Sequence, residues 1–145
     1  DGLPREGVVA RPLPVVDAVT APYWEAAALG RLLVAECDAC ARRHAPPEAL
    51  CPYCRSSWHW ATSPGVGEVY SFTVVTRAAS PDFDTPYVLA LVDLDDGWTM
   101  TTNIVGCDPG AVTIGMPVIV EFQRQDDSIS LPCFTPRGSG RGPTA

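Results

Sequence analysis

Hydrophobic and polar positions alternate with period two through the second half of the chain. GEVYSFTVV (67–75), PYVLALVDL (86–94), WTMTTNIV (98–105), PVIVEFQ (117–123) and SISLPCF (128–134) each read as a strand. In the third, Trp98, Met100, Thr102 and Ile104 share one side, and Thr99, Thr101, Asn103 and Val105 the other. Asp96-Gly97 marks a hairpin, because both residue types tolerate positive φ. GCDPGAVTIG (106–115) makes a longer crossing, and Asp126-Asp127 turns the fourth strand into the fifth. Five antiparallel strands with one long crossover predict a small closed barrel of OB type over residues 63–135. Gly65 and Gly67 read as sharp bending where the first barrel strand begins. They do not form a phosphate loop, because no Lys follows and the segment enters a strand.

The first half follows no such alternation. Residues 1–19, with Pro4, Pro12 and Pro14, read as an extended arm or linker. Residues 20–31 predict a docking helix over about 21–29. Thr20 is the candidate cap, Pro22 and Glu25 suit the N-terminal end, and Gly30 closes it. So short a helix is marginal alone and must pack on something. RLLVAE (31–36) and SSWHWA (56–61) read as the flanking strands of a ribbon over residues 32–62, and 136–145 as a loose tail. The predicted class is mainly β: a short N-terminal helix, a rubredoxin-like four-cysteine zinc ribbon, then a five-stranded OB-fold barrel.

The ribbon carries the clearest chemistry. Cys37, Cys40, Cys51 and Cys54 form two Cys-x-x-Cys knuckles separated by ten residues. Each knuckle presents two thiolates, and two facing knuckles complete a tetrahedral cage. Structural zinc is the expected occupant. Iron takes the same ligands in a rubredoxin-type site. Two disulfides need an oxidising compartment, and redox chemistry needs only one such pair. A closed four-cysteine site leaves no position for substrate, so the metal is expected to hold the fold.

No catalytic set stands beside it. Cys107 and Cys133 lack a nearby base in sequence and read as buried or half-buried free thiols. His44, between the knuckles, is unnecessary as a ligand, and His59 lies beside the ribbon. Asp93, Asp95 and Asp96 read as turn formers and solvated charges. In PYVLALVDL both faces are apolar: Val88, Ala90, Val92 and Leu94 on one, Tyr87, Leu89 and Leu91 on the other. Either another element of this chain or a partner protein covers the outer face.

Composition narrows the classes. Hydrophobic residues make up 46% of 145 residues, enough for a packed core. The net charge is −7, and all ten basic residues are Arg. That balance disfavours a zinc-ribbon and OB module for nucleic acid, which needs clustered cations and aromatic platforms. An independent rubredoxin-like electron carrier is a third reading, which the colour of an iron protein would reveal. No apolar run reaches the length of a membrane span, and no signal pattern opens the chain, so a cytoplasmic location is expected. The start at Asp1 without Met fits a piece of a longer polypeptide.

PYWEAAALGRLLVAECDACARRHAPPEALCPYC, GVGEVYSFTVV, PYVLALVDLDDG, TNIVGCDP, IGMPVIVEF and LPCFTP together cover about residues 20–135. In that order they resemble the acyl-CoA-associated OB-fold family, a domain of unknown function with an N-terminal rubredoxin-like zinc ribbon. Many members place Gly after the first knuckle, where this chain has Ala41. The resemblance implies an accessory subunit, without catalytic residues of its own, that stabilises a thiolase-like or lipid-transfer-protein-type enzyme. Archaeal members bridge a thiolase to a synthase. In actinobacterial members such a domain lies behind a hydratase and joins a thiolase-like aldolase that cleaves a sterol side-chain CoA thioester by a retro-aldol step. It further implies a hetero-oligomer around a partner dimer and an acyl-CoA site formed with the partner. The candidate partner contacts are Tyr23, Trp24, Tyr87, Leu89 and Leu91. Arg42, Arg43 and Arg77 are the candidates for CoA phosphates, since the chain has no Lys.

Overall fold

The computed structural model describes residues 13–77 and 84–138. The predicted arm therefore lies outside the described residues over 1–12, and the tail over 139–145. The helix, α1, spans Ala21–Ala28. Thr20 makes no side-chain cap. The capping function falls three residues earlier, where Asp17 Oδ1 accepts from the Thr20 amide (2.9 Å) and hydroxyl (3.1 Å). Those bonds hold the Asp17 carboxyl below its ordinary pKa. The C-terminus closes as expected: Gly30 has φ 80°, Gly30 N donates to Ala27 O, and Arg31 N donates to Ala26 O. That pair of bonds is a Schellman motif, which needs a residue without a Cβ penalty at positive φ. Ala26 and Ala27 are buried, and the helix docks on its own chain.

The ribbon sheet has order β2-β1-β3, with β1 Leu32–Cys37, β2 Arg43–His44 and β3 Trp58–Ser63, all antiparallel. β3 runs through Pro64-Gly65 into the barrel, made of β4 Val66–Val75, β5 Tyr87–Leu94, β6 Trp98–Ile104, β7 Pro117–Arg124 and β8 Ser130–Pro136. Barrel order is β4-β5-β6-β8-β7, closed by β7 on β4. One pairing differs from the all-antiparallel expectation: β6 meets β8 in parallel, at Ile104 and Phe134. The crossover requires it. Residues 105–116 carry the chain past β6 so that β7 lies antiparallel to β4; β8, antiparallel to β7, then points the same way as β6.

The inner faces follow the alternation. Val88, Ala90, Val92, Leu94, Trp98, Ile104, Val118 and Phe134 form the core. Phe134 is wholly buried, which contributes about 2–3 kcal/mol. In β4 the alternation breaks at Tyr70, which sits in a register shift between Val69 and Ser71 and is 60% exposed. A bulge of this kind adds one residue to one strand and reverses which side chains point inward. The crossover ties to it: Val69 N donates to Met116 O and Gly115 N to Val69 O. Gly67 lies so close to β5 that a Cβ would overlap the Asp93 carbonyl, which accounts for glycine there. The hairpin at Asp96-Gly97 is a three-residue connection, since Leu94 pairs with Trp98 and only Gly97 has positive φ.

Candidate metal centre and the surfaces around it

The two knuckles are built alike. In the first, Ala41 N donates to Cys37 O; in the second, Arg55 N donates to Cys51 O. Backbone amides of Ala39 and Cys40 point at Cys37 Sγ (3.3 Å each), and that of Tyr53 at Cys51 Sγ (3.4 Å). Such N–H···S contacts favour the thiolate. Hydrogen bonds from the side chain and backbone of Ser56 hold the Cys54 thiol below its ordinary range, at about 6, while the neighbouring thiols push Cys40 up. The four sulfurs converge within 4.8 Å of one another, and two pairs meet between the knuckles: Cys37–Cys54 at 3.4 Å and Cys40–Cys51 at 3.8 Å. A tetrahedron of thiolates at zinc's bond length has edges of ~3.8 Å. These four residues are placed as a group that could hold a metal ion.

Each knuckle turns on a residue in the left-handed region, Ala41 at φ 63° and Arg55 at φ 70°. A Cβ there costs ~1–2 kcal/mol, which Gly avoids. Ala41→Gly is therefore expected to stabilise the metal-loaded ribbon by about 0.5–1 kcal/mol. A chelator titration checks this, because metal should be retained a few-fold more strongly than in the parent chain.

His44 does not join the thiols. It is buried on β2, edge-on to Trp58, and neither ring nitrogen has a hydrogen-bond partner among the described residues. His59 sits between Asp38 (2.6 Å) and Glu36 (3.4 Å). Cys133 is buried and Cys107 half-buried, with the Cys107 thiol pushed up by burial and by Asp108. His44 has no hydrogen-bond partner among the described residues and His59 faces Asp38 and Glu36, so neither is placed as a base for Cys107.

One expectation is overturned. Asp96 is no solvated turn former; its side chain is 16% exposed. It accepts from Arg43 Nη1 (2.5 Å), Ser63 Oγ (3.1 Å) and Trp98 Nε1 (2.9 Å). Arg43 Nε also donates to Glu36 (2.9 Å). This network joins the ribbon to the barrel. Arg43, a candidate for CoA phosphate, is thus committed to two carboxylates. Arg42 is exposed and stacks over Tyr53, 4.7 Å from the ring centroid, and Arg77 is exposed beyond β4.

The candidate partner residues divide likewise. Tyr23 packs against the barrel core, edge-on to Trp24 (4.9 Å between centroids) and tilted on Trp60 (5.9 Å). Leu89, 41% exposed, lies on the outer face of β5 between half-buried Tyr87 and Leu91. Across from them stand Ser71, Thr73 and Val75 of β4 and Thr101 and Asn103 of β6. No charged side chain interrupts that stretch. Sequence reasoning missed a further feature, a cleft of 520 Å³ between α1, the Ala45–Pro47 turn and strands β6 and β8. No linear motif could have signalled it, because four separate segments form its walls. Among the described residues, no helix is long and apolar enough to cross a membrane.

A helix-fastened four-cysteine ribbon leading into a 1-2-3-5-4 closed barrel defines a class, and comparison with known proteins places the chain in it. Residues 24–58 match the ChsH2 rubredoxin-like zinc ribbon domain and 60–123 the ChsH2 C-terminal OB-fold domain. A solved structure described as "Ltp2-ChsH2(DUF35) aldolase" is 38% identical, with a TM-score of 0.76 over 86% of this chain and 98% of that one. The chain belongs to the DUF35 family of ChsH2-type zinc-ribbon and OB-fold proteins. It is also 39% identical over 127 residues (87% of this chain) to a probable enoyl-CoA hydratase alpha subunit of Thermomonospora curvata. Over 99 residues (68% of this chain) it is 33% identical to the 3-oxo-4,17-pregnadiene-20-carboxyl-CoA hydratase alpha subunit of Mycobacterium tuberculosis. It spans 40% and 32% of the lengths of those two relatives.

Proposed function

We propose that this chain is a non-catalytic accessory domain that binds and stabilises a thiolase-like enzyme and helps form its acyl-CoA site. The partner reaction is retro-aldol cleavage of a sterol side-chain CoA thioester. The observation that carries this reading is the likeness, over nearly the whole of that chain, to the aldolase structure. The name of the mycobacterial relative supports a steroid thioester as substrate class. Zinc held by Cys37, Cys40, Cys51 and Cys54 would supply folding free energy, and a four-thiolate shell leaves no open position for substrate. The chemistry accordingly falls to the partner. The uncharged outer face of β5 around Leu89 is the contact surface proposed, with Tyr87 and Leu91 beside it. A nucleic-acid module would instead want cations there.

The test is co-expression with a thiolase-like protein of the Ltp2 type, followed by size exclusion and an acyl-CoA cleavage assay. A stable complex, active only with both chains, is expected. Leu89→Asp should weaken it by ~30-fold or more, as loss of a central contact does. A chain that stays free and leaves the partner's activity unaltered would sink the proposal.

A further inference from the structure

We infer that the knuckle end of the ribbon, where the Arg42 guanidinium lies over the exposed ring of Tyr53, is a second protein-docking surface, and that it takes a carboxylate of the partner enzyme. None of its residues belongs to β5, so it engages the partner at a point separate from Leu89. Leu50 and Tyr53 are among the exposed large apolar side chains, and Pro52 and Arg55 beside them are exposed too. Arg42, just past the first knuckle, sits 4.7 Å from the centroid of the Tyr53 ring. The chain has 17 acidic residues against ten basic ones, so a cation has carboxylates to choose from. Arg43 follows that rule and is bound to Glu36 and Asp96. Arg42 and Arg55 do not: among the described residues neither forms an ion pair.

A guanidinium held over an aromatic ring has lost rotamer freedom before anything binds, while its N–H groups stay available at its edge. Less entropy is then lost when a carboxylate arrives. Arg and Tyr also carry much of the binding energy in protein interfaces, where apolar neighbours keep water out. Leu50 and Pro52 are such neighbours. Arg42 follows the first knuckle and Tyr53 lies in the second, so the convergence of the four cysteines sets their spacing. Metal at that cluster would therefore hold the docking surface as well as the ribbon. Two cations are too few for a nucleic-acid backbone, which needs a run of them, and Glu48 is exposed on the same segment. A single carboxylate beside an apolar side chain fits instead.

That the carboxylate is the thiolase-like enzyme's rests on the accessory-domain reading; the surface itself does not. The metal-loaded chain is therefore titrated with an enzyme of the Ltp2 type and, separately, with a capped peptide of alternating Glu and Leu. Arg42→Gln should weaken the complex ~5- to 10-fold, as loss of a hydrogen bond to a charged group does, and flatten its salt dependence. Arg42→Lys keeps the charge and loses the planar fork, so it should recover only part of that loss. Tyr53→Leu keeps an apolar side chain without the ring and should weaken binding ~2- to 5-fold. Metal content and circular dichroism identify any variant that misfolds. Chelation of the parent chain should abolish the difference between it and Arg42→Gln.

Weaker enzyme binding by Arg42→Gln, partly restored in Arg42→Lys, supports the surface. Enzyme binding that is equal in parent and Arg42→Gln overturns it. So does displacement of the peptide by an equal concentration of coenzyme A, or tighter binding of a single-stranded oligothymidylate than of the peptide. If no complex forms, the accessory reading fails and the peptide decides the surface: binding lost in Arg42→Gln supports it, and equal or absent binding overturns it.

Discussion

Cys51→Ser is expected to release the metal and unfold the ribbon while the barrel persists. Cys51 is wholly buried, and its sulfur lies 3.8 Å from Cys40 Sγ and accepts from Tyr53 N. A serine oxygen is harder, carries its proton at neutral pH and stops short of the thiolate position. Structural zinc supplies ~10–16 kcal/mol of apparent binding free energy, and in small domains that is folding free energy. The ribbon sheet has little else to replace it, with a two-residue β2 and two six-residue strands. Metal content should fall to background, and the near-ultraviolet signal of Trp58 and Trp60 should collapse. Hydrogen exchange on β5 should remain slow, because the closed barrel has its own core. Chelation of the parent chain should give the same state. Retention of metal and of the aromatic signal in Cys51→Ser would contradict the assignment.

Asp96→Ala should cost about 2–4 kcal/mol, the next largest loss. Three donors lose their acceptor together, and the Arg43 guanidinium keeps only Glu36 as a carboxylate partner. Removing one member of a part-buried charged network is expensive because the rest stay desolvated. Asp96→Asn loses the charge and replaces one of the two acceptor oxygens by an NH2, so it keeps either the Ser63 bond or the Trp98 bond but not both, and its cost should fall below that of Asp96→Ala. Urea unfolding measures both. A double-mutant cycle with Arg43→Met should give a coupling of ~1–3 kcal/mol. A change under about 0.5 kcal/mol for Asp96→Ala would return this residue to the solvated turn that its DD-G context implies.

Where sequence and structure diverge, the divergences share a cause. Thr20 reads as the helix cap, but the cap lies at Asp17, because capping chemistry is the same one turn earlier and local spacing does not choose between them. The hairpin at Asp96-Gly97 is legible as a turn, but its length is not, since register depends on the cross-strand pair Leu94–Trp98. The Tyr70 bulge leaves no trace in a run that alternates acceptably in either register.

The sequence by itself determined most of the elements and the four-cysteine cluster. Period-two alternation marked all five barrel strands, Gly30 marked the end of the helix, and paired Cys-x-x-Cys turns marked ligands brought together by local backbone geometry. These are short-range properties, because a knuckle or a strand face is specified by residues a few positions apart. Only the tertiary structure decided the parallel β6–β8 closure, the burial of Asp96 against Arg43, and the cleft whose walls come from residues as far apart as Tyr23 and Leu131. Each depends on which distant segments end up adjacent. That is set by how the whole set of apolar faces can be covered at once, which no local window contains.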